Sequence, residues 1–202
     1  MRNSHYLCFM AGKEFFDVTF DRVDFTKEPF EIGEYEGCSF NNCNLMDVDF
    51  EDSKFIDCKF RACNITTAKV SQVSFQDVHF VHCKMVGLQF KNSNDFLFSV
   101  SFDTCNLQLA SFYKLLLKKM KFNNCILREV DFTLADLSQS SFEGCDLAGA
   151  VFSDTNLEKA DFSKAYYYMI DPDRNRMKKA TFSIDGAAGL LGKYDILFKD
   201  TD

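Results

Sequence analysis

The sequence predicts an all-β fold in which the chain winds as a four-sided coil, and a five-residue period is the main reason. From Phe40 to Phe90 every fifth residue is apolar, and from Leu97 to Phe162 the period resumes with Leu and Phe in strict alternation. We call these apolar residues, five apart, the ladder residues. This period fits neither an α-helix, at about 3.6 residues, nor a strand, at about two. It therefore indicates a supersecondary unit that is repeated along the chain.

Each quintet has the chemistry of one straight side and one corner. The residue two positions before each ladder residue is mostly small, as at Cys38, Ala68 and Ala110, and the two residues after it are mostly polar. Two inward positions separated by one outward residue are typical of a short β segment, and a polar pair suits a turn. Four such quintets return the chain to its start and close one coil.

Residues one coil apart should then stack in columns, and the ladder residues do so. One predicted core column is entirely aromatic: Phe40, Phe60, Phe80, Phe102, Phe122, Phe142 and Phe162. The columns keep their character across the longer step from residue 90 to 97, which indicates a two-residue bulge near 92–96. From Phe15 to Tyr167 the pattern predicts nearly eight coils, a stack about 38 Å long at about 4.8 Å per coil.

The quintets resemble those of a known family. Cys145-Asp146-Leu147-Ala148-Gly149 is similar to the consensus of the pentapeptide repeat proteins. This resemblance implies a right-handed quadrilateral β-helix over residues 1–168, with irregular coils before about residue 37. It also implies a protein that is not an enzyme, because a filled, narrow coil offers no substrate cavity.

The remaining residues, 169–202, are predicted to be a capping and dimerisation module. Asp171-Pro172 ends the regular quintets, and an α-helix is expected over 185–194, capped by Ser183 or Asp185. The layout is similar to the C-terminal module of the quinolone-resistance and microcin-immunity group of that family. That similarity implies a homodimer whose interface contains Ala187, Leu190, Leu191, Tyr194, Ile196 and Phe198.

The same resemblance implies a partner and a mode of binding. Members of that group bind type II topoisomerases, mainly DNA gyrase, and their acidic rod is thought to imitate duplex DNA. Residues 14–57 contain 13 acidic residues and three basic ones, and the candidate contacts are Asp47, Asp49, Glu51, Asp52 and Asp57. A second acidic set runs from Glu129 to Asp161. The expected activity is protection of gyrase from quinolones or from a gyrase-poisoning toxin.

A basic middle leaves a second interpretation open. Residues 58–122 contain three acidic residues and nine basic ones, which interrupts the acidic surface. A scaffold that binds an unrelated protein would tolerate such a mixed surface equally well. Direct binding to nucleic acid is not expected, because no continuous basic face is predicted.

The bulge supplies a further candidate contact. Phe96 and Phe98 flank Leu97, so the ladder register predicts that both point outward, with Leu116 one coil above Phe96. Clustered exposed apolar side chains often mark a contact surface. The alternative is that the bulge folds them back over the coil.

The remaining chemistry-bearing residues favour packing over catalysis. All nine cysteines lie two positions before a ladder residue, which predicts buried free thiols, and His79 and His82 are expected on the surface. Neither a cofactor, a metal nor a small-molecule substrate is predicted. Because no apolar run is long enough for a signal peptide or a membrane span, the expected location is the cytoplasm.

Overall fold

The structure, a computed structural model, describes residues 12–197, and its short strands run parallel. The strands are β1 Lys13–Phe16, β2 Thr19–Asp21, β3 Gly33–Glu36, β4 Ser39–Asn41, β5 Lys54–Ile56, β6 Lys59–Arg61, β7 Ser74–Gln76, β8 Val78–Val81, β9 Val100–Asp103, β10 Lys121–Asn123, β11 Ser141–Glu143, β12 Asp161–Phe162 and β13 Thr181–Phe182. Short 3₁₀ helices cover Phe90–Asn92, Pro172–Arg174, Asp185–Leu190 and Gly192–Tyr194.

The strands and isolated bridges form four faces of a solenoid. Face 1 contains the sheet β1-β3-β5-β7 and continues through the Leu116–Asp136 bridge, while face 2 is the nine-stranded sheet from β2 to β13. Face 3 contains the Asn44–Asn64 bridge and face 4 the Asp49–Lys69 bridge. Successive strands pair in a 20-residue register, as in Phe40 with Phe60. The predicted four-sided β-solenoid of about eight coils is confirmed.

Stacked phenylalanines fill the interior behind face 2. The column of seven phenylalanines that the sequence predicts is 0–2% exposed, and its rings continue to Phe20 and Phe182. Consecutive rings lie 4.6–5.6 Å apart and within 19° of parallel. Rings from neighbouring faces meet this column edge-on, as Phe112 meets Phe122 at 6.0 Å. Offset stacks and edge contacts are the favourable arrangements for aromatic pairs.

The corners explain many of the acidic residues. Most corners place one residue in the left-handed conformation, including Asp47, Asp52 and Asp57 at φ of 58°, 62° and 50°. Asn, Asp and Gly tolerate this conformation better than other residues. The side chain just before the ladder residue often closes the turn as well, as when Asp49 Oδ1 accepts the Glu51 N–H at 3.0 Å.

The two-residue insertion is confirmed, but its side chains differ from the prediction. Asn94 pairs with Ser74, 20 residues earlier, whereas Val100 pairs with Val78, 22 residues earlier. The two extra residues therefore lie between Asn94 and Val100. Phe98 points inward and contacts Phe75 and Phe90 edge-on, at 6.2 and 6.0 Å. Leu97, at φ 57°, is exposed. The predictions of an inward Leu97 and an outward Phe98 are therefore wrong, whereas Phe96 does point outward.

The C-terminal segment contains no α-helix within the described residues, so the predicted helix over 185–194 is wrong. The segment forms 3₁₀ turns instead, and Ser183 Oγ, just before the first of them, accepts the Gly186 N–H at 3.0 Å. A Cβ on Gly186 or Gly189 would lie 2.0 or 2.1 Å from Tyr168 atoms. Glycines spaced three residues apart thus face Tyr168, as three residues per turn requires.

The backbone ladder also extends further than the quintets indicate. Tyr167, the expected ladder residue, is exposed, whereas Tyr168 is buried, and β13 pairs with β12 beyond Asp171-Pro172. The division into domains at residue 168 stays a prediction. Within residues 12–197 the structure contains no helix with the length and apolar character that a membrane span requires.

Candidate partner-binding surfaces

The first surface is the acidic end of the rod. It consists of eight exposed carboxylates that make no ion pair within the described chain: Glu14, Asp17, Glu28, Glu36, Asp47, Glu51, Asp52 and Asp57. Of the five acidic residues predicted as contacts, only Asp49 is paired, at 3.3 Å to Lys69. The structure places all five in one coil and leaves them exposed.

The acidic end is dense in charge. Residues 14–57 carry a net charge of −10, and they occupy little more than two coils, about 11 Å of the rod axis at about 4.8 Å per coil. That is on the order of one charge per 1 Å, against one per about 1.7 Å in duplex DNA. The net charge of −7 for the whole chain, spread over about 38 Å, is several-fold sparser than DNA.

Local contacts lower the pKa of Asp24, a paired carboxylate beside this surface. The hydroxyl of Thr26 donates to Asp24 at 2.6 Å, and Lys27 lies 2.9 Å away. The Thr26 hydrogen bond, followed by the Lys27 ammonium, lowers the pKa of Asp24 to about 2. Asp24 therefore stays charged even in mildly acidic solution, although its ion pair with Lys27 leaves less of that charge for a partner.

The second acidic set, from Glu129 to Asp161, is used largely by the fold. Asp131, Asp136 and Asp146 each accept a backbone N–H two residues later, at 2.9–3.1 Å. Asp146 is only 5% exposed and also accepts from Arg128 Nε at 2.6 Å. Carboxylates held in this way are poor candidates for a partner surface.

The second surface surrounds the insertion and is apolar and basic. Phe96, Leu97 and Leu116 are 68%, 61% and 71% exposed. A groove of about 230 Å³ lies beside them, lined by residues 98–101 and 116–121. The structure thus brings Phe98 and Leu116 to the same groove, while Phe96 lies outside its lining.

Lysines border this groove, and two of them are unpaired. Lys118 lies 3.5 Å from Asp136, whereas Lys119 and Lys121 form no ion pair within residues 12–197. The sequence shows these lysines, but an apolar groove beside them was not predicted. The two-residue insertion was the available signal, because it had to disturb stacking against the next coil.

The third surface is the C-terminal end. Of the predicted dimer contacts, Ala187, Leu191, Tyr194 and Ile196 are exposed, Leu190 packs against the core, and Phe198 lies outside the described residues. Ile184 and Leu197, which were not predicted, are 92% and 87% exposed. Lys193 holds the segment to the coil through Asp171 at 2.7 Å and through Asp173.

The cysteines are packing residues. The eight cysteines within the described chain are buried and form no disulfide bond. Their thiols donate hydrogen bonds to backbone carbonyls, as Cys63 Sγ does to Phe40 O at 3.2 Å. Burial raises the pKa of Cys58 to about 12. His79 Nδ1 lies 2.6 Å from Ser101 Oγ, and no cluster of metal-binding side chains occurs among residues 12–197.

We expect these thiols to be unreactive in the folded protein. At pH 8 a thiol reagent such as dithionitrobenzoate should modify at most one cysteine within minutes, because only Cys8 lies outside the described residues. In a denaturant all nine should react. Rapid modification of two or more cysteines in the native protein would contradict the packing.

Comparisons with known proteins agree with this architecture. Profiles of the pentapeptide repeat region match residues 53–132 and 116–183, and a profile of pentapeptide repeats in eight copies matches residues 36–66. A search of curated protein sequences found no match.

Solved structures of two proteins are similar in fold. One is a trypsin-treated form of QnrB1, a plasmid-mediated fluoroquinolone resistance protein, at 20% identity and a TM-score of 0.58, covering 94% of this chain and 93% of that one. The other is HetL, involved in heterocyst differentiation regulation in the cyanobacterium Nostoc, at 13% identity and a TM-score of 0.58, covering 84% and 85%. The two relatives differ in biological role, so the shared fold alone does not determine a partner.

Proposed function

This chain belongs to the pentapeptide repeat family, and on that premise we propose that it is a non-enzymatic protein that binds a type II topoisomerase, DNA gyrase. Its acidic end would occupy the DNA-binding surface of the enzyme and protect it from quinolones or from a gyrase-poisoning toxin. No bond is made or broken by the protein itself. The location that this role requires is the cytoplasm.

The observation that carries the proposal is the charge density of the acidic end. Eight exposed carboxylates without an ion pair in the described chain lie within little more than two coils, at a density comparable to that of duplex DNA. Mimicry is confined to this end, because the middle of the rod is basic. The rigid stack of coils supports the proposal too, since fixed charges need no ordering on binding.

Gyrase binding measured against competing DNA tests the proposal. Labelled protein should bind gyrase with an affinity that falls steeply as salt rises, and short duplex DNA should displace it. Binding that duplex DNA does not displace, with weak salt dependence, would contradict mimicry. A direct complex between the labelled protein and DNA alone would also contradict it.

A scaffold that binds an unrelated protein is the second candidate, and the basic middle favours it. Nine basic residues against three acidic ones over residues 58–122 would repel a surface that binds DNA. Substitutions that remove the charges of Lys119 and Lys121 distinguish DNA mimicry from a scaffold function. The change should strengthen a complex that depends on DNA mimicry and weaken one that depends on the basic surface.

We further propose that the rod forms a homodimer through its C-terminal end. Exposed apolar residues at a solenoid end need a cap, and a second copy would cover Ile184, Tyr194 and Leu197. Tyr194→Asp with Leu197→Asp should convert the dimer to a monomer in analytical ultracentrifugation. Leu109→Asp with Leu134→Asp, on the sides of the rod, is the matched control and should stay dimeric. A wild-type monomer at micromolar concentration would refute the dimer.

A further inference from the structure

Face 1 has a gap in its backbone ladder at Leu116. In this face the N–H of one coil donates to a carbonyl of the coil before it at 2.9–3.0 Å, as seen at Ser74, Asn94, Asp136, Asn156 and Arg176. The Leu116 N–H occupies the same position and makes no hydrogen bond within residues 12–197. It is the one member of this column from Ser74 to Arg176 that lacks the bond.

Two carbonyl groups beside the Leu116 N–H also lack a backbone hydrogen-bond partner. One coil later, Asp136 O accepts the Leu117 N–H at 2.8 Å, and Ser138 O accepts the Lys119 N–H at 2.9 Å. The corresponding oxygens of Leu116 and Lys118 accept no backbone hydrogen bond from the described chain. One donor and two acceptors in alternation are what the edge of a parallel sheet presents.

The insertion explains the gap. Asn94 and Val100 keep the regular pairing with the coil before them, but the residues between them depart from it. They therefore supply no strand for residues 116–118 to pair with. The groove of about 230 Å³ between residues 98–101 and 116–121 marks the unfilled space.

We infer that this gap is a docking site for an extended, acidic segment of a partner protein, which adds to the open edge as a short β-strand. Addition of a strand to an exposed edge is a recurring mode of peptide recognition, in which backbone hydrogen bonds supply affinity. The site faces the side of the rod, on face 1. This inference does not depend on gyrase being the partner.

The surrounding side chains define the chemistry of the segment. Lys119 and Lys121 have no intramolecular partner, and Lys118 lies next to the open carbonyl, so carboxylates on the segment would be paired. Leu116, which lines the groove and is 71% exposed, offers apolar surface to one large apolar side chain. With about 3.3 Å per residue, the open edge accommodates roughly three residues, so the segment would add only a short strand.

Amide hydrogen exchange tests the open edge without any ligand. The Leu116 amide should exchange at least about a hundredfold faster than the Asp136 amide, whose N–H is bonded to Leu115 O at 2.9 Å. Equal protection of the two amides would overturn the inference, because it would require a partner for Leu116 that closes the ladder.

A designed peptide tests recognition. The probe is a fluorescent heptapeptide, Asp-Glu-Val-Phe-Val-Asp-Glu, and its anisotropy is measured with the full-length protein. Leu116→Pro removes the open N–H and should weaken binding at least tenfold more than Leu116→Val does, because valine keeps that N–H. A peptide N-methylated at its central residues should bind wild-type protein at least tenfold more weakly, which keeps the test valid if Leu116→Pro does not fold.

Other outcomes would overturn the proposal. Unchanged affinity for Leu116→Pro, or for the N-methylated peptide, would show that the backbone edge is not used. Equal binding of a peptide with lysines in place of its acidic residues would exclude charge recognition. Binding to phosphatidylserine vesicles without binding to the heptapeptide would assign the patch to membranes.

Discussion

Phe122→Ala should destabilise the protein by about 3–5 kcal/mol, the largest single-residue effect that we expect. Phe122 is fully buried, and its ring stacks on Phe102 at 5.6 Å and on Phe142 at 5.2 Å. Phe112 and Phe132 meet it edge-on. Each coil is stabilised only by its neighbours, so a cavity here weakens the packing between the coils on either side of it.

Denaturant unfolding followed by circular dichroism measures this effect. Phe96→Ala is the matched control, because it removes the same ring from a site that is 68% exposed, and it should cost well under about 1 kcal/mol. A loss below about 1 kcal/mol for Phe122→Ala would contradict the inward placement of the phenylalanine column.

The second large effect concerns binding. Asp47→Asn, Asp52→Asn and Asp57→Asn together should weaken the gyrase complex about 10- to 100-fold, if each exposed charge contributes about 0.5–1 kcal/mol. Asparagine suits the design because all three residues have positive φ, which it tolerates. The fold should therefore be preserved, and the salt dependence of binding should become shallower.

A second triple variant controls for net charge. Glu129→Gln, Asp154→Asn and Asp195→Asn remove as many exposed charges at positions of the same backbone conformation, but away from the acidic end. This variant should bind gyrase as the wild type does. Equal weakening by both triple variants would show that overall charge, and not the acidic end, determines binding.

The sequence predicts the regular coils well because one residue in every five is large and apolar and must face the core. A shift of one residue would turn every phenylalanine of the column from core to solvent. The prediction that Phe40 to Phe162 are buried was therefore strongly determined and is confirmed. The 20-residue register of face 2 follows from the same constraint.

The insertion was predicted in length but not in register. Counting from Phe90 to Leu97 reveals two extra residues, yet the count is satisfied whether Leu97 or Phe98 points inward. The larger aromatic side chain fills the space beside Phe75 and Phe90, and Leu97 takes the left-handed corner. Side-chain volume decided between the two, and the period contains no information on it.

The tail and the open edge escaped prediction for other reasons. Apolar spacing favoured an α-helix over 185–194, but close approach to Tyr168 requires the glycines at 186 and 189. Helix propensity argues in the same direction, since each glycine costs about 1 kcal/mol. The unpaired backbone at Leu116 depends on where the inserted residues go, which a sequence pattern cannot specify.

Gyrase supercoiling in the presence of a fluoroquinolone is the most direct test of the proposed function. Titration of the purified protein should restore supercoiling at micromolar concentration, and the acidic-end triple variant should need at least tenfold more protein. Failure of the folded wild-type protein to change supercoiling, with or without the drug, would contradict a gyrase-directed role. The β-solenoid and its open edge would then belong to a scaffold with a different partner.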